Sequence, residues 1–531
     1  MSAYVIRDCV MIAGCTCFAS FPFDRKRDRS RWSKLAVGLV SFAASIGTVL
    51  SQGTINFPPG GAMTQPSNHA LIRSIGPTTL RAAMSDPDGS IASVRFFSGT
   101  NLLGTGIPSG LSEFVMTWTP GRTGNFSLSA EAVDNSGATG KTATVWISVA
   151  TNPPAFAVIE LETSPTNVSF DPLAINNQGV IVGSITNAAA RWHNWHSETF
   201  DVFGKPAVAR AVSDQGTIVG EFIQAQGQAG TICQPFCYTP DQGVRQLPGL
   251  TDGIASGVSQ AGIVGIAATN GFRTTSFGFW YSGGNYAFFG DGGSSCQARD
   301  INDEGVIVGS LQTPAGETRP FIYRAGELTL LAGGTGSGAN AVNRQGEVVG
   351  TAGGQAFRYE SGTVTNMGAF GIYQEALDVN DHGNAVGYYY YADTFNPPAA
   401  FLFHDGVLID LNELIPTNSA WSLRIANSIN NGDWIVGRGN RAGDGFFPWT
   451  GSRGFLLVPG PMIRVLRATA TTLEGRAYFA NGPAVFERST DLIHWAPVST
   501  NATGAAEASF SLTLDPTNGA AFYRVVQPSA P

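Results

Sequence analysis

The sequence predicts an all-β protein, and three observations support this prediction. Glycine is abundant, with 66 residues in 531, and only 13% of the residues are charged, a composition that disfavours long helices. A decapeptide of turn and β-branched residues recurs through the middle of the chain. Both flanking regions alternate apolar and polar positions between turn residues, as strands do. With 43% apolar residues the chain can bury a core, and its length suggests three or four domains.

The first element, residues 1–51, is predicted to be a signal peptide with an extended N-region. Residues 25–34 (RKRDRSRWSK) carry six positive charges, and residues 35–50 (LAVGLVSFAASIGTVL) form an uncharged apolar run. This order is typical of a secretory signal, and Val49 and Ser51 suit cleavage before Gln52. An uncleaved anchor is the alternative. Cleavage would leave a secreted or cell-surface chain without a membrane span.

The second element, residues 65–152, is predicted to be a β-sandwich. Its strand candidates are SVRFFSG, FVMTWTP, NFSLSAEAVD and TATVWISVA, each bounded by turn residues. A Pro-rich stretch with Asn152, Pro153 and Pro154 marks its end.

The decapeptide defines the third element, residues 155–460. Five copies are complete: AINNQGVIVG (174–183), AVSDQGTIVG (211–220), DINDEGVIVG (300–309), AVNRQGEVVG (341–350) and DVNDHGNAVG (378–387). A shortened copy ends at Gly265 and a variant, SINNGDWIVG, ends at Gly437, so the seven copies are spaced by about 42 residues. Most copies are followed by an aromatic cluster, a Gly turn and an apolar stretch. Four short strands in each period indicate a propeller blade, and seven periods predict a seven-bladed β-propeller.

Local chemistry accounts for the motif. The Asn at its third position can hydrogen-bond the backbone of its own turn, and the Gly three residues later can take a positive φ. β-Branched residues on both sides of the turn suit strands that face a buried layer between blades. Closure of the ring requires one blade shared by both ends of the repeat region. Residues 156–162 and 454–458 are both candidates for the closing strand.

The fourth element, residues 462–531, is predicted to be a small C-terminal β module. It follows a second Pro-containing boundary at 459–461 and contains RVLRATATT, GRAYFA, AVFERSTDLIHWAPVST and FYRVVQ.

Three resemblances follow from these motifs. The I-N-x-x-G-x-V-V-G core and its spacing resemble the HAF-type extracellular repeats of exported bacterial proteins. The stretches SDPDGSIASVRFFSGTNLLG and GNFSLSAEAVDNSGATG resemble bacterial immunoglobulin-like modules, and ERSTDLIHW with AFYRVV resembles a C-terminal β module of exported bacterial proteins. The repeat resemblance implies a secreted propeller and no established catalytic residues. The third and seventh copies depart from the pattern.

The sequence predicts no cofactor, although two segments offer candidate ligands for calcium. Asp300, Asn302 and Glu304 in DINDEG place oxygen atoms at alternate positions before a glycine, as calcium loops do. Other copies keep the Asn and Gly without the acidic residues, so turn geometry explains the shared part. Asp86 and Asp88 in the sandwich form a second, similar candidate.

Cysteine and histidine offer two further candidate sites. After loss of the signal, Cys233, Cys237 and Cys296 remain, and in an oxidising compartment Cys233 and Cys237 could form a short disulfide; free thiols are the alternative. His193 and His196 suggest a metal pair, but positions three apart on a strand point to opposite faces, so we expect surface or packing roles.

The function predicted from the sequence is that of an exported extracellular or cell-surface binding or adhesion protein. We expect a monomer whose propeller binds a glycan or a surface protein. We expect no catalysis, because no nucleophile elbow, zinc-protease helix or similar motif occurs. Removal of residues 1–51 changes the formal net charge from −8 to −12, which leaves no basic stripe for nucleic acid. The alternatives are a propeller-type polysaccharide lyase or glycoside hydrolase, and a structural matrix protein.

Overall fold

The structure, a computed structural model, describes residues 56–161, 169–227, 230–268, 276–290, 295–334, 336–391, 397–443, 452–468, 472–480, 484–490, 493–501, 506–513 and 522–526. The predicted signal peptide, with Cys9, Cys15 and Cys17, lies outside the described residues. Regular structure in the described residues is all β except for one 3-10 turn, Leu411–Leu414. Among these residues we find no helix with the length and apolar character that crossing a bilayer requires.

The N-terminal region is a sandwich of two sheets. One has the strand order Gly60–Gln65, Thr78–Ser85, Glu113–Trp118, Ile107–Pro108. The other has the order Leu71–Ile72, Val145–Val149, Gly124–Asp134, Ile91–Ser98, Asn101–Thr105, and Thr139–Lys141 also pairs with Gly124–Asp134. Alternate residues of both sheets, including Leu80, Phe96 and Leu128, are fully buried between them. The predicted alternation is therefore the alternation of core and surface.

Seven four-stranded antiparallel sheets follow in the described residues, one for each decapeptide. We number them 1 to 7 in chain order and call their strands first to fourth in the order of pairing. Sheet 1 contains Phe170–Ile175, Ile181–Ile185, Ala188–His193 and His196–Thr199, and sheet 2 contains Ala207–Val212, Ile218–Gly227, Gly230–Thr239 and Gly243–Gln246. Sheet 3 contains Gly253–Ser259, Gly262–Ala268, Ser276–Ser282 and Asn285–Phe289, and sheet 4 contains Cys296–Ile301, Ile307–Gln312, Thr318–Arg324 and Glu327–Leu330.

Sheet 5 contains Gly338–Val342, Val348–Ala352, Gln355–Glu360 and Thr363–Asn366, and sheet 6 contains Tyr373–Val379, Ala385–Tyr390, Ala399–His404 and Val407–Asp410. Sheet 7 contains Trp421–Ile429, Ile435–Arg441, Arg453–Pro459 and Phe156–Glu160. Sheet 7 takes its fourth strand from the chain before sheet 1. The two candidate closing segments thus lie in the same sheet, where Ala157 pairs with Val458.

Each decapeptide forms the end of the first strand, the turn and the start of the second strand. The turn glycines take a positive φ, as predicted: 76° at Gly179 and 75° at Gly383. The variant seventh copy keeps the turn because Asp433, at φ 56°, adopts the left-handed conformation. The shortened third copy turns through Gln260 and Ala261 between its paired strands.

The final glycine of the motif has a different role, which the sequence analysis did not identify. Every first strand carries a β-bulge opposite this glycine, for example between Ala376 and Asp378. A Cβ on Gly387 would lie 1.9 Å from the Glu375 carbonyl oxygen, and the final glycines of the other sheets meet equivalent carbonyls at 1.9 to 2.0 Å. In sheets 2 to 7 a buried phenylalanine of the third strand pairs opposite this glycine, as Phe401 does in sheet 6, whereas sheet 1 has Ala190 there. The glycine thus makes room for the bulge and the aromatic ring.

Neighbouring sheets share their cores. Val182 of sheet 1 packs with Phe236 of sheet 2, and each following sheet packs on the next in the same way. Sheet 7 also shares a core with sheet 1, through Val436 and Leu456 against Ile181.

The sandwich packs on the fourth strand of sheet 6. Asn125 accepts a hydrogen bond from the Leu408 amide (3.0 Å) and donates one to the Leu408 carbonyl (2.6 Å), so its side chain pairs with the sheet edge. Ser148 donates to the same carbonyl at 2.6 Å. His69 lies in the same interface, where its Nε2 is 3.0 Å from the Phe370 carbonyl oxygen and its ring contacts Tyr389 and Tyr391. The sandwich is therefore fixed to sheet 6 by directional bonds.

The C-terminal module consists of two three-stranded sheets. Their strand orders are Met462–Ala468, Thr472–Tyr478, Glu507–Thr513 and Ala496–Asn501, Ala484–Ser489, Phe522–Val526. Tyr478 packs into the core shared by sheets 7 and 1 and stacks on Trp195, with ring centroids 6.0 Å apart. The fourth strands of sheets 6 and 7 are thus buried by the two added modules, whereas that of sheet 5, Thr363–Asn366, is exposed.

The close carbonyl contact yields a prediction for Gly387→Ala. The added Cβ has to displace backbone, so we expect a loss of about 1–3 kcal/mol in the free energy of unfolding, measured by urea denaturation. Gly334→Ala is the control, because the nearest atom to its Cβ is 3.9 Å away. Equal stability of the two variants would contradict the role assigned to the final glycine.

Burial lowers the pKa of His69 to about 4, against an ordinary value of 6.5, although the Phe370 bond opposes the shift. The unfolded chain therefore binds the proton first, so the stabilisation is complete above pH 6.5 and is lost as pH falls towards 4. We expect acidification to pH of about 4.5 to remove about 2–3 kcal/mol through this residue.

Urea midpoints of the wild type above pH 6.5 and at pH of about 4.5, compared with those of His69→Phe, measure this contribution. The variant should lose less stability on acidification than the wild type. An unchanged pH dependence would contradict the assignment to His69, and His196→Phe, at an exposed histidine, is the control.

Candidate functional site

The motif turns of the seven sheets, five with Asn and two with Ser at the third position, meet around a polar cavity of about 260 Å³. Its lining repeats the same motif positions from every sheet: the β-branched residue, the Asn or Ser of the turn and, in six sheets, the residue after it. Asn177, Asp214, Asp303, Arg344, Asp381 and Asn431 supply the residues of this last position.

Each turn asparagine stabilises its own turn and the next sheet at once. The Asn380 side-chain oxygen accepts from the amides of His382 (3.0 Å) and Asn384 (3.1 Å), and its Nδ2 donates to the Asn430 carbonyl at 3.0 Å. Asn430 has the same bonds within its turn and donates to the Asn176 carbonyl, also at 3.0 Å. Further inter-sheet bonds of this type run from Asn176 to Ser213, Ser259 to Asn302, Asn302 to Asn343 and Asn343 to Asn380.

A second set of bonds lies at the next position. The Asn177 side-chain oxygen accepts from the Asn431 amide at 2.8 Å, and Asp381 accepts from the Arg344 amide at 2.9 Å. Asp214 accepts from both the amide and the side chain of Asn177. The polar groups around the cavity are thus bonded to neighbouring sheets, which favours a structural role over ligand binding.

A different cluster lies on the first strands of sheets 4 to 6 and the second strand of sheet 6. We call it the Glu375 cluster, and its members are Arg299, Asn340, Tyr373, Glu375, Tyr388 and Tyr390. The Glu375 carboxylate accepts from the hydroxyls of Tyr373 (3.0 Å) and Tyr388 (2.7 Å) and from Asn340 Nδ2 (3.0 Å). The three tyrosine rings contact one another, with centroids 5.8 to 6.2 Å apart. All six side chains are partly exposed.

The charges of the Glu375 cluster compensate each other. Arg299 bonds to Asn340, and burial lowers the pKa of Arg299 while the Glu375 charge opposes the shift. Burial and the same carboxylate raise the pKa of Tyr373 to about 12 and that of Tyr388 still further. Both phenols are therefore protonated hydrogen-bond donors at neutral pH. The arrangement offers aromatic rings, hydroxyls and amides without excess charge.

The sequence analysis missed this cluster, although the run of four tyrosines from Tyr388 to Tyr391 was a usable signal. Strand alternation places Tyr388 and Tyr390 on one face. Tyr389 and Tyr391 lie on the other, where Tyr389 donates to Asp410 at 2.7 Å beneath the sandwich interface.

The candidate calcium ligands of the fourth copy each bond to other groups of the protein. Asp300 is half-buried and accepts from the Ile301 and Val342 amides at 2.8 and 2.9 Å, and the loss of hydration raises its pKa. Asn302 accepts from the Val306 amide, and Glu304 pairs with Arg344 at 3.5 Å. Asp378 repeats the Asp300 arrangement towards Ile429, and burial raises its pKa to about 7.

The candidates in the sandwich also have protein partners. Asp88 accepts from the Phe57 amide at 3.1 Å, and Asp86 accepts from the Asp88 amide at 3.4 Å. Partial burial and the nearby carboxylates of Asp88 and Asp134 raise the pKa of Asp86. In the described part of the chain, no group of three or more His, Cys, Asp or Glu residues is placed to hold a metal ion.

The predicted Cys233–Cys237 disulfide is wrong. Both thiols are free and buried, and the Cys296 thiol is also buried. Cys233 and Cys237 lie in the same extended strand, Gly230–Thr239, where four residues span about 13 Å. A disulfide requires Cα atoms within about 7 Å, so the strand keeps the thiols apart.

The geometry expected for the histidine pair is also corrected. His193 and His196 are cross-strand partners on either side of a two-residue turn, Asn194 and Trp195, both with positive φ. They are therefore neighbours on one hairpin. Trp192 is buried and contacts the partly buried Trp195, so this aromatic pair packs in the core shared by sheets 7 and 1.

The comparisons with known proteins identify one family within the chain. Residues 59–130 match the bacterial Ig domain family, which confirms the immunoglobulin-like prediction for the sandwich. No curated protein is detectably similar to the chain in sequence.

Three solved structures illustrate the structural similarity. The extracellular domain of BT4673 from B. thetaiotaomicron is 10% identical, with 62% of this chain and 46% of that chain covered and a TM-score of 0.35. Fibronectin(III)-like modules of Clostridium thermocellum CbhA are 15% identical over 18% of this chain and 99% of that chain, with a TM-score of 0.16. The Bacteroides ovatus surface glycan-binding protein SGBP-B, solved with a mixed-linkage heptasaccharide, is 12% identical over 89% and 97%, with a TM-score of 0.15.

The asparagine turns yield a prediction for Asn380→Ala. The change leaves the Asn430 carbonyl and two turn amides without their partner in a buried site, and each such group costs about 1–3 kcal/mol. We expect the urea midpoint to fall markedly. Thr363→Ala, on an exposed strand, is the control. A variant as stable as this control would contradict the role of the inter-sheet bonds.

Proposed function

We propose that the protein is an exported, non-enzymatic binding protein of the cell surface or extracellular space. In this proposal the seven repeat sheets form a closed seven-bladed β-propeller of the HAF-repeat type. The propeller binds a glycan or a protein through the face that carries the Glu375 cluster.

Two sets of contacts support closure of the ring. Asn430 of sheet 7 bonds to Asn176 of sheet 1, across 254 residues of sequence. The pairing of Phe156–Glu160 with Arg453–Pro459 joins both ends of the repeat region in one sheet. A shared blade of this kind holds a ring closed without a free sheet edge.

Export is supported by the signal-like sequence of residues 1–51 and by the bacterial Ig domain match. The fixed contact between the sandwich and sheet 6 supports a role for the sandwich in holding the propeller in one orientation, since Asn125, Ser148 and His69 all bond to that sheet or the loop before it.

The Glu375 cluster is the observation that carries the binding function. Partly exposed aromatic rings beside amide and hydroxyl donors suit a neutral, hydroxyl-rich ligand. The same observation bears on the enzyme alternative, which requires acidic and aromatic residues at one mouth of the ring. The Glu375 carboxylate already accepts three hydrogen bonds, and the raised pKa of Tyr373, about 12, disfavours a tyrosine base at neutral pH. Binding is therefore the better supported function.

Glycan arrays and bacterial envelope fractions test the proposal with the purified chain. We expect retention of a neutral glycan or an envelope protein, with affinity reduced by roughly tenfold or more in Tyr388→Ala and reduced less in Tyr373→Phe. Thr363→Ala should bind normally, and thermal melting checks that each variant is folded.

Three outcomes would contradict the proposal. Retention of no ligand by the wild type removes the binding function. Depolymerisation of a polysaccharide that depends on Glu375 supports the lyase or hydrolase alternative. Self-association into assemblies without a ligand supports the matrix alternative.

A further inference from the structure

The hairpin that ends sheet 3 differs in composition from its counterparts. Residues 276–290 read SFGFWYSGGNYAFFG, with seven aromatic residues and no charged residue or histidine. The third and fourth strands of each of the other six sheets include at least one charged residue, such as Arg245 in sheet 2 and Glu327 in sheet 4. The hairpin is therefore a neutral, aromatic patch between charged neighbours.

Packing holds the aromatic rings of this hairpin in place. Tyr286 and Phe288 are nearly parallel, at 14° with centroids 5.6 Å apart, and Phe277 meets Phe288 edge-on at 6.4 Å. Tyr281 contacts Tyr286 at 4.7 Å. The Tyr286 hydroxyl donates to the Pro248 carbonyl at 2.8 Å, and burial raises the pKa of Tyr286 to about 12, so this bond persists at neutral pH.

Phe288 is the exposed member of the group. The residue is 53% accessible, although two aromatic rings, Tyr286 and Phe277, contact it. Phe288 pairs with the buried Phe279 of the third strand, and Phe289 is buried on the opposite face, so Phe288 is the phenylalanine that this hairpin leaves exposed. A ring already fixed in place loses little conformational freedom when a ligand packs on it.

We propose that this aromatic hairpin is a second binding site, which takes the apolar face of a neutral glycan. The C–H groups of a pyranose ring carry partial positive charge and pack on the negative face of an aromatic ring. Asn285 and Ser282, at the turn, supply neutral hydrogen-bonding groups for sugar hydroxyls. The proposal extends the binding function proposed above to a separate surface and does not require the Glu375 cluster to be occupied.

The size of the patch favours a glycan over a protein partner. A stable protein interface buries about 800 Å² on each side. The neutral surface here is one short hairpin of sheet 3, and the outer strand of that hairpin has five residues. Charged strands adjoin it on both sides.

Affinity electrophoresis tests the site with the whole chain in native gels that contain hydroxyethyl cellulose, barley mixed-linkage β-glucan, xyloglucan or galactomannan. At least one of these neutral polysaccharides should retard the wild type, and Phe288→Ala should weaken the apparent affinity by roughly tenfold. Polygalacturonate, which is anionic, should not retard the protein through this site. Phe203→Ala removes a similarly exposed phenylalanine outside the hairpin, at 48% accessible, and should behave as wild type.

The outcomes separate the two proposed sites. Weakened retardation in Phe288→Ala that persists in the Glu375→Gln background supports the hairpin site. Loss of retardation in Glu375→Gln alone, with Phe288→Ala unchanged, removes this site and leaves the proposed function intact. No retardation of the wild type by any of the neutral polysaccharides overturns the inference. So does a Phe288→Ala effect confined to self-association in sedimentation experiments, which would identify a protein interface.

Discussion

The structure of the repeat region depends on one side chain, the asparagine of the turn. Its amide oxygen accepts bonds from amides of its own turn, and its amide nitrogen reaches the carbonyl of the equivalent residue in a neighbouring sheet, as Asn380 does with Asn430. Local turn geometry and the packing of adjacent sheets are therefore fixed by the same group. Buried polar groups must be paired. If one sheet moved away from its neighbour, the asparagine amide nitrogen and the carbonyl that it reaches would both lose their hydrogen-bond partner.

The second constraint is the bulge opposite the final glycine of the motif. The bulge pushes a carbonyl of the first strand onto the second, and only glycine leaves space for it, as at Gly387. The phenylalanine opposite, Phe401, covers the glycine and fills the layer between sheets. Turn, bulge and aromatic ring thus explain the conspicuous positions of the repeat unit, and the high glycine content of the chain has two structural causes instead of one.

Much of the fold could be predicted because its determinants are local. The Asn turn, the alternating strands and the four-strand period are each determined by a segment of about 40 residues. The role of the final glycine and the geometry of the His193–His196 pair depend on the register of paired strands, which the motif does not show. The disulfide prediction was wrong because Cys233 and Cys237 lie in one extended strand. The contact of Asn125 with Leu408 and the Glu375 cluster join residues that are far apart in sequence or lie in different sheets, which a motif search does not connect.

The central claim, that sheet 7 closes on sheet 1, is tested most directly by cysteine cross-linking at the turns. The Asn431 amide lies 2.8 Å from the Asn177 side-chain oxygen, and the Arg344 amide lies 2.9 Å from the Asp381 carboxylate between two consecutive sheets. A chain with Asn177→Cys and Asn431→Cys should form an intramolecular disulfide on mild oxidation, as readily as one with Arg344→Cys and Asp381→Cys. Cross-linking of the second pair without the first, on non-reducing gels and by peptide mass, would contradict a closed ring.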